Sequence, residues 1–168
     1  MANTYLDQLV EYPAKALQQI GTNEKIAKLL TNNPNLDMDS DEADDVFDKY
    51  LFDYIYVDDT TSSAEAYVCV EAELQRVENP NFQDFRIYCT IICHKRFMAV
   101  DPSLFPGMIG NRRDNLVRYV DSVLDGSPIY GVGNLTLVSV KTVPSPVGFS
   151  SRELTYKIAD FRNKGLTT

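Results

Sequence analysis

The chain has 168 residues, a hydrophobic fraction of 44% and a formal net charge of −8. This composition is that of a globular protein and excludes a disordered chain, and the length suits one domain with a core of its own. The apolar runs are too short to span a bilayer, no signal peptide is visible, and the acidic balance disfavours tight binding to DNA phosphates.

Two short amphipathic helices are predicted in the first 31 residues. Apolar side chains recur with helical spacing over residues 4–20, and Pro13 is expected to start a fresh helix at its first turn. A second helix follows, with Thr22 or Asn23 as its N-cap and an apolar stripe along one face. The Asn- and Pro-rich residues 32–35 are expected to end it.

The acidic segment LDMDSDEADDVFDKY has the outline of a calcium-binding loop, because three aspartates alternate and a fourth stands at the twelfth position. An EF-hand loop needs a glycine at its sixth position, and this chain has Glu42 there. We therefore predict a solvated acidic loop with a possible helical turn at residues 45–49, and calcium binding only as a weak alternative. The calcium candidates are Asp37, Asp39, Asp41 and Asp48.

The pattern changes to strands after residue 50. Residues 54–57 have strand propensity. Residues 66–75 alternate between an apolar face and a mixed, acidic face that carries Glu71 and Glu73. Residues 85–94 alternate in the same way, and the two longer segments are expected to form an antiparallel pair.

A helix and two further strands are predicted in the last third of the chain. The apolar loop 97–110 leads to a helix that Asn111 caps and that ends near Leu124. Strands are expected over residues 135–141 and 154–161. The order α-α-β-β-β-α-β-β predicts an α+β fold: a mostly antiparallel sheet of about five strands with helices packed on one face.

The whole chain, residues 1–168, is interpreted as a single α+β domain. No internal repeat, low-complexity segment or linker divides it. Residues 163–168 are expected to form a short frayed C-terminal tail.

No catalytic constellation is predicted. His94 is the only histidine, and neighbouring Cys93 points to the opposite strand face, so the two cannot act as base and nucleophile. Cys89 and Cys93 share a face but lie roughly 13 Å apart along the strand. That separation excludes a disulfide or a shared zinc ion. Glu71 and Glu73 are interpreted as a solvated acidic face, in preference to a catalytic pair. We expect no enzyme, no cofactor and no metal, in a reducing compartment.

Several segments in the same order resemble proteins of the morphogenesis region of tailed phages and prophages of Gram-positive hosts. The similarity is to the tail-terminator and head–tail joining group and covers residues 50–162. It rests on the order of the segments and on an RxDxL-like helix start formed by Arg112 or Arg113, Asp114, and Leu116 or Val117. The segments are YIYVDDTTSSAEAYVCVEAELQRVENPNFQDFRIYCTIICHK, GNRRDNLVRYVDSVLDG, IYGVGNLTLVSV and SSRELTYKIADF.

The resemblance implies a virion protein of the phage neck, assembled in the host cytoplasm and without a membrane partner. Such proteins form homo-oligomeric rings, commonly hexamers, which close the tail tube and dock to the capsid connector. The genome passes through the ring, and an acidic protein suits a channel in which DNA slides. Glu71 and Glu73 are the candidates for the channel lining.

An inter-subunit or neck contact is expected at the apolar loop and at the helix start that follows it. The arginines there either meet the acidic segment of a neighbouring subunit or are solvated. Two alternatives stay open: a head-completion or connector-adaptor protein, and a small calcium- or metal-dependent binding module or enzyme. The candidate interface residues are Phe97, Met98, Leu104, Phe105, Met108, Arg112 and Arg113.

Overall fold

The computed structural model describes residues 6–56, 63, 65–75 and 81–161. In these ranges the chain forms four α-helices, one short 3-10 helix and five strands. Their bounds are α1 Gln8–Gly21, α2 Glu24–Thr31, α3 Asp41–Lys49, β1 Leu51–Phe52, β2 Ala66–Leu74, β3 Phe82–His94, the 3-10 helix Lys95–Phe97, α4 Arg112–Leu124, β4 Val132–Val143 and β5 Phe149–Phe161.

The strands form one sheet in the order β1-β2-β3-β5-β4. Strand β1 pairs with β2 in parallel, and every other neighbouring pair in the sheet is antiparallel. The long connection that contains α4 takes the chain from β3 to the outer strand β4, and β5 then returns through a short loop to lie between them. The prediction of an α+β fold with a mostly antiparallel five-stranded sheet is confirmed.

The core lies between one face of the sheet and the helices. Val70, Cys89 and Leu154 are direct neighbours across β2, β3 and β5, and all three are fully buried. Ile20 of α1 and Leu116 of α4 belong to the same buried cluster. Alternation along the strands therefore places every second side chain under the helices, which is the source of the predicted amphipathic pattern.

The opposite sheet face has a different character at its two ends. Near the end of β3, a small buried cluster contains Tyr67, Cys69, Ile92 and Phe149, with Phe52 packed against it. Towards the other end, the same face carries charged side chains. We call the surface of β2, β3, β5 and β4 that faces away from the helices the open face of the sheet.

Several local predictions are wrong. Residues 41–49 form helix α3 and not an acidic loop, because Ala43 and Val46 bury one helix side against the core. Residues 54–56 lie outside any strand, and the paired segment is β1, just before them. Pro13 lies inside a continuous α1 and starts no separate helix. The predicted frayed tail at 163–168 is outside the described residues.

Within the described ranges, no helix has both the length and the apolar character that a bilayer crossing would require.

Candidate functional site

Arg112, the first residue of α4, lies inside its own chain. Its side chain is 2% exposed. The guanidinium group donates to the carbonyl oxygens of Phe97 (2.9 Å) and Leu29, and to Oδ1 of Asn32 (2.6 Å). Its Cζ atom also lies 3.9 Å from the centre of the Phe97 ring. Arg112 therefore has almost no exposed surface with which to contact a neighbouring subunit, and its side chain connects the loop 97–110 to helix α2.

Arg113 and Asp114 form a second, partly exposed group at the same helix start. Arg113 donates to Asp114 Oδ1 through Nε (3.0 Å) and to Ser150 Oγ through Nη1 (2.6 Å). Arg152 lies 3.4 Å from Asp114 Oδ1. Burial alone would raise the pKa of Asp114, but the hydrogen bonds from Asn111 and Arg113 and the two arginine charges lower it. Arg113 is thus also engaged within the chain.

The apolar loop 97–110 packs some of its large side chains against the protein and exposes others. Phe105 is buried, and Phe97, Met98 and Met108 are half-buried against the core. The expectation that these side chains lie open is wrong for Phe105. Leu104, by contrast, is 51% exposed. Arg112 holds the start of the loop by donating to the carbonyl oxygens of Phe97 and Ala99, and hydropathy along the chain does not reveal that contact.

A groove remains beside the loop, between it and helices α2 and α4. Its walls include Leu104 and Met108 from the loop, Lys25 and Lys28 from α2, and Tyr119 from α4. Lys25 Nζ lies 5.3 Å from the centre of the Tyr119 ring. Apolar side chains and two lysines line the groove, so an acidic partner segment with an apolar side chain matches it chemically.

Glu71 and Glu73 are exposed on the open face, as their alternation with Val70 and Ala72 predicts. Glu73 lies opposite Arg86, which in turn lies opposite Lys157. Tyr88 donates its hydroxyl hydrogen to Glu73 Oε2 at 2.8 Å. Two basic residues thus lie beside Glu73 in this row, so the open face carries charges of both signs.

The four calcium candidates do not lie on one loop. Asp41 and Asp48 belong to helix α3, whereas Asp37 and Asp39 lie in the turn before it. Asp37 Oδ1 accepts a hydrogen bond from the backbone N–H of Asp39. A calcium loop must wrap its oxygen ligands around one ion, and a helix directs them outward and apart. In the part of the chain that the structure describes, no three acidic, histidine or cysteine side chains form a metal-binding group.

The cysteines and the histidine have structural positions. Cys69, Cys89 and Cys93 are free thiols and buried. Burial raises the pKa of Cys69 and of Cys93 to about 11, so both thiols stay protonated and weakly nucleophilic near neutral pH. His94 Nδ1 accepts from the backbone N–H of Arg96, and its ring packs edge-on against Phe149.

The sequence-based search missed an exposed aromatic segment directly after β1. Tyr54, Ile55 and Tyr56 are each between 44% and 52% exposed. The Tyr56 ring stacks on the Phe52 ring, with centroids 4.0 Å apart and an interplanar angle of 4°. Tyr67 packs beside Tyr56 at 5.4 Å. The run of three large apolar residues is the available signal, but its strand propensity predicts a strand and not an exposed segment.

Comparisons with known proteins give a family and a fold. The model of the family YomW, which is phage-related, matches residues 23–158. Among solved structures, a chain from the virion of a native gene transfer agent particle has the same fold, with a TM-score of 0.51 and 9% sequence identity. That match covers 89% of this chain and 93% of the other. No curated protein matches the chain.

Proposed function

The chain belongs to the YomW family, and we propose that it is a structural protein of a phage virion, located at the head–tail junction. In this proposal it forms a homo-oligomeric ring that terminates the tail tube or joins it to the connector. The ring assembles in the host cytoplasm, and the genome passes through it. Its role is to bind other virion proteins, and it catalyses no reaction.

The observation that carries this proposal is the shared fold with a chain of a gene transfer agent virion. The match extends over nearly the full length of both chains, so it involves the whole arrangement of helices and sheet and not one common motif. At 9% identity only the fold is shared. The phage-related family provides the independent support, because it matches through sequence.

The surface supports a role in assembly. The described surface offers an apolar groove beside Leu104 and an exposed aromatic segment at residues 54–56. In the described part of the chain the thiols are buried and the acidic side chains are dispersed, so these groups are poorly placed to bind a substrate. Exposed aromatic and aliphatic clusters are the usual anchors of protein–protein interfaces. We assign the groove to the contact with a neighbouring neck protein.

The open face is the proposed DNA-facing surface. The helices cover the other side of the sheet, so Glu71 and Glu73 project from the side that packing leaves free. Arg86 and Lys157 in the same row reduce its negative charge. A surface of mixed charge neither binds the phosphate backbone tightly nor repels it strongly, and both properties suit DNA that must slide through.

The test is complementation of particles that lack the protein. Deletion of the gene should give heads that contain DNA or can take it up, together with tails that are not joined to them. Addition of the purified protein should restore infectivity. Tail tubes of irregular length indicate a terminator. Tails of normal length beside heads that lose their DNA indicate a head-completion or connector adaptor. Light scattering of the protein, alone and with these particles, measures the mass of the oligomer and so tests for a ring. If the deletion leaves complete, infectious particles, the proposal is overturned.

The DNA-facing role has its own test. The double substitution Glu71→Lys and Glu73→Lys should leave particle assembly unchanged and slow DNA ejection, because added positive charge holds the phosphates. A control with Asp44→Lys and Asp48→Lys, on the exposed side of α3, makes the same change of charge away from the open face. Equal ejection rates in the two double variants would exclude a DNA-facing open face.

A further inference from the structure

The groove beside the loop 97–110 continues into a second cleft along helices α2 and α4. Lys25 and Tyr119 line both of them, and Arg118 lines the second. Leu104 and Met108 give the first part an apolar wall, and Leu104 is 51% exposed. Exposed apolar surface of this kind marks a site of protein–protein contact. We call the two joined clefts the extended groove.

The extended groove holds two cations that have no carboxylate within ion-pair distance among the described residues. Lys25 Nζ lies 5.3 Å from the centre of the Tyr119 ring, and Arg118 Cζ lies 4.9 Å from it. Arg118 Nη2 donates to two neutral oxygen atoms, an amide oxygen and the Tyr119 hydroxyl. Lys28 and Glu24 also line the groove, but they are ion-paired with each other. The two remaining cations favour a partner that brings a carboxylate together with an apolar side chain.

A segment with this chemistry lies on the same chain, directly after β1. Its residues are Asp53, Tyr54, Ile55 and Tyr56, and all four are exposed. They form no strand, because the chain bends at the first two residues and the Tyr56 ring stacks back on the Phe52 ring. The stacking orders the segment before any partner binds, which lowers the entropy that docking must remove. We call residues 53–56 the tyrosine segment.

The tyrosine segment and the extended groove lie on different parts of the molecule. The segment follows β1, the outer strand of the sheet, and the Tyr56 ring packs beside Tyr67 of β2. The groove lies in the helical layer, and none of its lining residues belongs to the segment. Each copy of the chain therefore presents both halves of a contact and fills neither of them itself. Two such patches that match each other give a head-to-tail association.

Charge selects this contact among the surfaces of two identical acidic chains. Each copy has a net charge of −8, so most pairs of surfaces repel. Salt screens that repulsion beyond about 8 Å at physiological ionic strength, and the charges at the contact itself then decide. Two grooves facing each other would oppose cations, and two segments would oppose the Asp53 carboxylates. The segment in the groove instead brings Asp53 to Lys25 and Arg118, and Ile55 to the apolar wall.

We propose that two copies of this chain associate head to tail, with the tyrosine segment of one copy docked in the extended groove of the next. Ile55 packs against Leu104, and the Asp53 carboxylate pairs with Lys25 and Arg118. The occupant of the groove is thus a second copy of the same chain. That the repeated contact closes into a ring, in which the neck protein at the groove is the next subunit, rests on the proposed function.

The test is site-directed cross-linking of the full-length protein, in solution and on particles that it has completed. The double variant Ile55→Cys with Leu104→Cys, treated with a short bismaleimide, should give a ladder of covalent oligomers on a denaturing gel. The native cysteines are buried, so they contribute little background. Each single variant alone should stay monomeric, and a mixture of the two should give a dimer. A control pair, Ile55→Cys with Val138→Cys, places the second thiol at a similarly exposed residue outside the groove and should give no ladder.

Exchange of the charges tests the pairing that selects a second copy. In the double cysteine variant, Asp53→Lys should lower the yield of the ladder about tenfold, and so should Lys25→Glu with Arg118→Glu. A mixture of these two charge variants has opposite charges at every alternating contact and should restore the ladder. Asp48→Lys, on the exposed side of α3, makes the same change of charge as Asp53→Lys and should leave the yield unchanged. A mixture that stays monomeric would overturn the inference.

The outcomes separate this contact from the proposed function. Particles that the double cysteine variant has completed but that give no ladder would overturn the contact and leave the role in the virion intact. A ladder in solution from a protein that completes no particles would support the contact and overturn the function. A ladder confined to completed particles would support both, and the absence of ladder and particles would overturn both. A maleimide–diazirine reagent at Leu104→Cys that captures a different virion protein would overturn the choice of a second copy.

Discussion

Arg112 and Asn32 join the start of helix α4 to the end of helix α2. Asn32 has a φ angle of +56°, in the left-handed region, and its Oδ1 accepts a hydrogen bond of 2.6 Å from Arg112 Nη2. The residue that ends α2 therefore also orients the arginine that holds the apolar loop. One buried side chain thus fixes the relative position of two helices and the loop between the sheet and α4.

Replacement of Arg112 by alanine should strongly destabilise the protein. The change leaves the carbonyl groups of Phe97 and Leu29 without their donor in a buried site. We expect a loss of about 3 kcal/mol in the free energy of unfolding, measured by urea denaturation. Arg96→Ala, at an exposed arginine, should change it by less than about 0.5 kcal/mol. Equal effects of the two substitutions would contradict the assigned role of Arg112.

Replacement of Asn32 should depend on the residue that is introduced. Asn32→Gly keeps a residue that adopts positive φ readily and loses only the bond to Arg112. Asn32→Ala loses the same bond and adds strain, so it should cost about 1 kcal/mol more than the glycine variant. The measurement is again urea denaturation of both variants. Identical stabilities would mean that the left-handed conformation imposes no cost at this position.

Much of the fold could be predicted because its signals are local. Asn23 and Asn111 are N-caps, each accepting backbone hydrogen bonds from the helix it begins. The alternation in residues 66–75 and 85–94 gave the correct core face, since a strand has a strict two-residue period. Helix α4 ends at Leu124 as predicted, and Gly126, with positive φ, follows its end.

The errors came from contacts between distant residues. Helix α3 has only a short apolar stripe among many acids, and Ala43 and Val46 become informative only when the rest of the core is in place. Arg112 and Arg113 are adjacent and have the same sequence surroundings, yet Arg112 is buried and Arg113 is only partly buried. Phe105 likewise depends on a loop conformation that Arg112 stabilises. The spacing of apolar residues along the chain does not encode such contacts.

Calcium should not stabilise the protein. The helical position of Asp41 and Asp48 prevents the candidate aspartates from surrounding one ion. We expect the same melting temperature in millimolar calcium and in EDTA, measured by circular dichroism at constant ionic strength. Magnesium at equal concentration controls for the screening of the acidic surface. A rise in melting temperature with calcium that Asp39→Asn abolishes would restore the metal-binding alternative.

Acid should weaken the protein through Asp114. Because its hydrogen bonds and the neighbouring arginines lower the pKa of Asp114 in the folded chain, the ionised carboxylate favours folding. This contribution is complete above the ordinary aspartate pKa of about 4 and is lost as the pH falls through the lower folded value. Asp114→Asn should therefore be less stable than the native chain at pH 7, and the difference should shrink below about pH 4. Urea denaturation from pH 7 to pH 3 measures that difference, and one that stays constant with pH would contradict the lowered pKa. Arg152→Gln, which removes one of the two positive partners, should show a smaller change in the same direction.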